Sequence, residues 1–395
     1  MSIWVGVGSS KDSDSYQAGR EAATHALAQM GFSTCTFVLV FGSARFNQEA
    51  LIQGVRSVTQ KAPLVGCSTA GEITADGPAK RSVVVTAIRS DKLVVTTGLG
   101  KNLELNPRQS GEKVATPAFE ARALNPHLFL MFPDGVSGNV AETIRGAQSM
   151  LGTSFPIVGG AAGDDFLFRK TYQYHFDTVA SHATTGALLA GDVAVSFGAR
   201  HGWRPLGKPR LVTRSNANVV YELDGRPPVN LYKEYFGQGA KELQQEWLAR
   251  TTIIYPLGMS IPDEEEYMLR NVLQVAPQGH MIYAGEVPEG NSVRLMMGSK
   301  EDALSAAHAA AQQARKGLRS KKPRLALIFS SASRAKLFGR EAIAEVQVIQ
   351  EAIGEEVPVA GFYGYGELAP LSSERYLGQT YYQNETLVVV LLGEM

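Results

Sequence analysis

One glycine-rich phrase, repeated three times, constrains what this chain can fold into. It reads Pro63-Leu64-Val65-Gly66-Cys67-Ser68-Thr69-Ala70-Gly71-Glu72, then Pro156-Ile157-Val158-Gly159-Gly160-Ala161-Ala162-Gly163-Asp164, then Pro358-Val359-Ala360-Gly361-Phe362-Tyr363-Gly364-Tyr365-Gly366-Glu367. Each copy follows an apolar strand-like run (36–41, 128–132, 325–329) and a stretch with aliphatics at three- and four-residue spacing (48–59, 140–151, 340–353), the pattern of a half-buried helix. Another apolar run follows each copy, at 83–88, 186–190 and 387–392. Upstream, the runs 4–8, 93–99 and 293–298 lead into helical stretches at 16–30, 110–123 and 300–314. A fixed order of elements recurring at long period indicates internal duplication. The reading is therefore α/β: layered sheets with covering helices, built from about three repeats of a strand-helix-strand-helix-turn-strand unit. The middle copy is one residue shorter between its second glycine and its acid.

The stretch from about 201 to 290 has no counterpart in the other units. It reads as a hairpin or long strand over 211–223 ending at Asp224-Gly225, then Pro227-Pro228 opening a helix over 229–236. The acidic run 263–266 is expected to start a further helix, where negative charge favours the N-terminal dipole. The domain boundary is drawn here, giving domains 1–225 and 226–395.

Lys plus Arg and Asp plus Glu each total 38 of the 395 residues, so no overall field draws the chain to nucleic acid or an anionic membrane. The one basic cluster, Arg315, Lys316, Arg319, Lys321, Lys322 and Arg324, reads as a solvated helix-to-strand connection. Two cysteines, Cys35 and Cys67, suit a reducing compartment better than a disulfide framework. With no signal-like start and no apolar stretch of spanning length, the expectation is a cytoplasmic protein without membrane insertion.

Few catalytic patterns are present. Gly66-Cys67-Ser68-Thr69-Ala70-Gly71 sits on a tight turn but lacks Gly-x-Ser-x-Gly spacing, leaving Cys67 or Ser68 as a minor enzymatic alternative. There is no phosphate loop and no His-Glu-x-x-His zinc helix. The turn acids Glu72, Asp164, Asp165 and Glu367 admit two readings. They face a shared pocket and hold an amine or cation there, or they accept hydrogen bonds from their own turns. None of the seven histidines is spaced as a metal pair on one helix.

Several of these motifs, in order, resemble FIST domains. Gly66 to Glu72, Gly159 to Asp165, His201-Gly202-Trp203 with Pro205-Leu206-Gly207, Val212-Thr213-Arg214 and Val220-Tyr221-Glu222-Leu223-Asp224-Gly225 are similar to the N-terminal domain. The stretch 232–236 and Val359 to Glu367 are similar to the C-terminal one. The resemblance implies a sensory protein of bacterial signal transduction that binds a small ligand such as an amino acid and is not an enzyme. In length and domain content the chain is also similar to the haem-binding nitric oxide sensors called NosP. That likeness implies haem b, nitric oxide as ligand, a sensor histidine kinase as partner, biofilm and cyclic di-GMP signalling as output, and a possible homodimer. An axial ligand would be a neutral histidine in an apolar pocket. His182, outside the shared FIST pattern, is the first candidate, followed by His201 and His175.

Overall fold

The computed structural model describes residues 3–122, 124–237, 251–261, 266–370 and 378–395. Unit one runs β1 (Ile3–Ser10), α1 (Ser15–Met30), β2 (Phe37–Ser43), α2 (Gln48–Thr59), β3 (Leu64–Thr69), β4 (Glu72–Thr74), β5 (Gly77–Ala79) and β6 (Val83–Ser90). Unit two repeats the order with β7 (Leu93–Gly100), α3 (Pro107–Glu120), β8 (Pro126–Pro133), α4 (Val140–Leu151), β9 (Ile157–Gly160), β10 (Gln173–His175), β11 (Thr178–Ala180) and β12 (Thr184–Gly191). Unit three opens with β13 (Val193–Arg200) and breaks off for an insertion. The insertion contains β14 (Arg204–Asn216), β15 (Val219–Leu223), α5 (Val229–Phe236), β16 (Leu257–Ser260), β17 (Tyr267–Arg270), β18 (Val272–Val275), β19 (Met281–Tyr283) and β20 (Ser292–Met297). Unit three then resumes with α6 (Lys300–Gly317), β21 (Pro323–Ser331), α7 (Ala332–Phe338), α8 (Ile343–Ile353), β22 (Val359–Gly364), β23 (Glu367–Pro370), β24 (Thr380–Gln383) and β25 (Leu387–Glu394).

Two elements differ from the sequence reading. The run at 293–298 does not open unit three. It is β20, paired with β14 and β16 in the inserted sheet, while β13 pairs with β25 as β1 pairs with β6. The insertion separates the true first strand from its helix and puts another strand directly before that helix, so local order alone misleads. Of the helix expected at the acidic run, residues 263–265 lie outside the described residues, and Glu266 is a bend.

Local chemistry accounts for the helices. Asp14, Asn47, Asn139 and Ser299 each accept a backbone hydrogen bond in the first turn of α1, α2, α4 and α6. Asn47 and Asn139 hold equivalent places in units one and two. The buried face of α2 is Leu51, Ile52 and Val55, and that of α4 is Ile144 and Ala147.

The strand orders are β1-β6-β2-β3-β10-β11, β7-β12-β8-β9-β23-β24 and β13-β25-β21-β22-β4-β5, so the three sheets are the same sheet three times. Each is mixed: the second and third strands of a unit run parallel (β2 with β3, β8 with β9, β21 with β22) and the other pairings are antiparallel. The outer hairpin of each sheet comes from a neighbouring unit. Unit one gives β4 and β5 to unit three, unit two gives β10 and β11 to unit one, and unit three gives β23 and β24 to unit two. The exchange closes as a ring. Each donated hairpin covers an edge that would otherwise be open, and the new edges are strands of three or four residues.

The repeated phrase is where the exchange happens, and its first glycine permits it. A Cβ at Gly66, Gly159 or Gly361 would lie 1.8, 2.1 or 1.9 Å from the carbonyl oxygen of Val40, Met131 or Ile328 on the parallel neighbour. No side chain fits there. Past the glycine, backbone bonds join the three turns in the same cyclic sense. Ala70 N donates to Tyr363 O, Gly163 N to Ser68 O and Tyr365 N to Ala161 O, at 2.9, 3.0 and 3.0 Å. A second set runs from Tyr363 N to Gly71 O, Ser68 N to Tyr172 O and Ala161 N to Gly366 O.

At the centre Phe41, Phe132 and Phe329, equivalent by register, form a triangle with ring centroids 5.4, 5.6 and 6.2 Å apart. Phe362 packs among them, 4.8 Å from Phe41. Its counterparts are Cys67 and Gly160, and a Cβ on Gly160 would meet the Phe362 ring at 3.0 Å. One large, one small and one absent side chain fill a space that three identical residues would overfill.

Candidate functional site

The register assigns each turn residue its equivalent. Glu72 lies opposite Phe362, Glu367 opposite Gly160 and Gln173 opposite Cys67. Gln173 is therefore the counterpart of the two glutamates, which the sequence reading missed. The middle copy spends eight extra residues between turn and strand, and Asp164 organises them. Fully enclosed, Asp164 accepts the backbone N–H groups of Phe168, Arg169 and Lys170 at 2.8, 2.6 and 2.9 Å and the Tyr365 hydroxyl at 2.5 Å. Asp165 accepts the Ser43 hydroxyl at 2.7 Å.

Glu72 is fully buried. It accepts the Thr69 hydroxyl at 2.5 Å and both the hydroxyl and the backbone N–H of Ser82. Burial raises its pKa to about 7, against the pull of the Ser82 and Thr69 hydrogen bonds. Glu367, also buried, accepts the Thr386 N–H at 3.0 Å, and burial holds its pKa well above the ordinary range. Glu72 and Glu367 thus each brace the residue that precedes the last strand of their own unit. The thiol of Cys67 is fully buried and its pKa is raised well above normal by burial alone. Ser68 donates to Gly163 O and accepts Tyr172 N–H, at 2.7 and 2.9 Å. Neither residue is placed as an activated nucleophile.

The three histidines lie apart. His182, with φ +49°, has an exposed ring whose Nδ1 is 3.0 Å from Ser137 Oγ and 3.4 Å from Glu104 Oε2. Its equivalents Arg81 and Glu385 share the left-handed backbone, at φ +55° and +58°. His175 is half-buried in β10, with Nε2 3.1 Å from Thr97 Oγ1, and burial lowers its pKa. His201 is buried. Its Nδ1 accepts Trp203 N–H at 2.9 Å, and burial, then the charges of Arg334 and Arg200, lower its pKa to about 4. An accepting Nδ1 puts the neutral ring's proton on Nε2, so neither nitrogen of His201 offers a lone pair to iron. His182 has polar, solvated neighbours instead of an apolar slot. The surroundings of His201 and His182 do not fit haem. Among the described residues no group of three or more His, Cys, Asp or Glu side chains could hold a metal ion, and no helix is long and apolar enough to cross a membrane.

One concavity lies where unit two meets the insertion. A cleft of about 230 Å³ is walled by Ala141, Ile144, Arg145 and Gln148 of α4 on one side. Met259, Ser260, Ile261, Met268, Arg270, Glu286, Pro288 and Asn291 of the insertion form the other side, and residues 379–382 the floor. One ion pair spans it: Arg145 Nη2 lies 2.5 Å from Glu286 Oε2, and Asn139 Nδ2 donates to Glu286 Oε1 at 2.7 Å. These contacts hold the pKa of Glu286 below the usual carboxylate value although burial works the other way. None of these residues stands out in sequence, because a buried arginine and a surface arginine read alike. The weak signal is an arginine inside the apolar run Tyr267-Met268-Leu269-Arg270-Asn271-Val272.

Comparison with known proteins gives the following. A model of the FIST N domain matches residues 36–226, and a model of the FIST C domain matches residues 228–370. An uncharacterised protein of Mycobacterium tuberculosis is 26% identical over 388 residues, covering 94% of this chain and 96% of that protein. An uncharacterised protein of Methanocaldococcus jannaschii is 22% identical over 278 residues, covering 66% of this chain and 54% of that protein. Among solved structures, cyanuric acid hydrolase from A. caulinodans aligns over the full length of both chains at 9% identity and TM-score 0.39. At that score the likeness carries no argument about what this chain does.

Proposed function

Since the chain belongs to the FIST family, with the N and C domains in one polypeptide, we propose that it is a sensory protein whose small ligand enters the cleft between unit two and the inserted sheet. FIST domains are small-ligand sensory domains of signalling, sensory rather than catalytic. The observation that carries the assignment to this cleft is its position: it is walled by two separately packed bodies and bridged by the Arg145–Glu286 pair. A ligand that contacts both walls changes how they are held, provided it binds one arrangement more tightly than the other. The signal then passes to another protein, and a sensor histidine kinase is the partner the resemblance implies.

The test is a thermal-shift panel of amino acids and small metabolites on the wild type and on Ala141→Trp, which puts bulk at the partly exposed wall of the cleft. We expect at least one compound to raise the wild-type melting temperature and to lose that effect in Ala141→Trp. A panel without a shift, or equal shifts in both proteins, overturns the assignment. Hemin belongs in the same panel as the test of the nitric oxide reading. That reading needs a stoichiometric Soret band, altered by nitric oxide and lost in His182→Ala. The geometry favours the cleft over it, because the cleft is enclosed on two sides while His182 is solvated.

A further inference from the structure

We infer that the cleft takes a small monoanion with a short apolar chain, a carboxylate, and that the anion sits on Arg270. The inference rests on the sensory reading of the cleft and adds the ligand's chemistry. Arg270 is only 3% exposed. Its Nε donates to Glu286 O at 2.9 Å, and Nη1 to Leu269 O at 2.9 Å and Tyr382 O at 3.1 Å. Nη2 has a single partner, the thioether sulfur of Met268 at 2.8 Å. A guanidinium carries five N–H donors. Three meet carbonyls, one meets a weak acceptor, and the fifth has no partner among the described residues.

No carboxylate lies within ion-pair distance of Arg270 among the described residues: Glu286 offers it a backbone carbonyl and turns its carboxylate to Arg145. Glu286 attracts Arg270 electrostatically without touching it through its carboxylate, and a buried charge whose direct partners are all neutral is costly, on the order of several kcal/mol. Desolvated charges of this kind cluster at functional sites, and an anion arriving from outside would supply the direct counter-ion. The described charges lining the cleft are Arg145, Arg270 and Glu286, a surplus of one positive charge. One carboxylate cancels it, and a planar guanidinium edge matches carboxylate geometry. Met268, whose sulfur meets Nη2, lines the cleft together with Met259 and Ile144, which gives the anion's chain an apolar surface. A volume of about 230 Å³ suits a molecule of a few heavy atoms rather than a cofactor-sized ligand.

Calorimetric titration of the full chain at pH 7 with propionate, propionamide, propylamine and inorganic phosphate tests this. Propionate should bind at least ten times more tightly than the amide or the amine and more tightly than phosphate. Arg270→Lys should weaken propionate at least tenfold. Should that variant fail to fold, Ser260→Asp, at the partly exposed rim, should abolish propionate binding by repulsion. Equal binding of propionamide or propylamine overturns the inference, as does preference for phosphate or unchanged propionate affinity in Ser260→Asp. If propionamide binds and Ala141→Trp blocks it, the cleft stands and the anion falls. If none of the probes binds, the anion falls, and the metabolite panel decides the fate of the cleft.

Discussion

At the scale of single residues, the buried acids set the protein's response to pH. The folded-state pKa of Glu72 is raised from 4.5 to about 7, with burial as the main cause. A raised acid binds its proton more readily in the folded state, so its contribution is full below pH 4.5 and declines as pH rises toward 7. His201 works in the opposite sense. Its pKa is depressed from 6.5 to about 4, so the stability it contributes is lost as pH falls through that window. Glu72→Gln should remove Glu72's share of the fall in stability with rising pH and leave the slopes of Glu367, Glu385 and His201. Urea midpoints measured from pH 4.5 to 7.5 should show the variant gaining roughly 3 kcal/mol on the wild type across that range. Parallel curves would mean that Glu72 does not titrate there. The core phenylalanines are as exacting for a packing reason: Phe329→Ala opens a void in the ring triangle and should cost about 3–5 kcal/mol in chemical denaturation.

At the scale of elements, the first glycine of each phrase decides whether two parallel strands can lie side by side. Gly361→Ala would drive a methyl group to within 1.9 Å of Ile328 O, with backbone on both sides and nothing flexible to yield. It should cost about 2 kcal/mol or more, since β21 and β22 must part or shift register. Exposed Gly31, with open space around its Cβ position, is the control. Because φ there is +78°, Gly31→Ala should lose only about 1 kcal/mol. Thermal melts of the two variants side by side check the difference, and equal losses would show that close approach is not what the phrase protects. The insertion is tied to unit two by the Arg145–Glu286 pair, whose arginine is 44% exposed. Solvent screening keeps that pair below about 1 kcal/mol, so its role is to set position and not to supply stability.

For the whole molecule, the cyclic exchange of hairpins means that no unit has a complete sheet of its own. Removing one unit strips an edge from a neighbour and exposes the phenylalanine triangle, so the three units should open together. Native-state hydrogen exchange checks this: the slowest amides of β2, β8 and β21 should report one common opening free energy. Stepwise values, unit by unit, would show independent domains. The inserted sheet has a separate core around Val220, Tyr232, Leu257, Met281 and Val293, and its amides should open at lower free energy than those of the ring.

The duplication, the α/β class, the long helices of the three repeats and the FIST resemblance were legible in sequence, because apolar periodicity, cap residues and glycine spacing are local signals. Tertiary structure decided what those signals leave open. Sequence order placed residues 293–298 at the head of unit three, but pairing gave that place to β13. Alignment of the phrases matched Asp164 to Glu72 and Glu367, whereas strand register matched Gln173 to them. Arg270 looked like any other arginine until folding surrounded it with carbonyls and one sulfur. A local pattern reports what a segment needs buried. Which chain buries it, and which charge is left without a counter-ion, depends on partners up to hundreds of residues away.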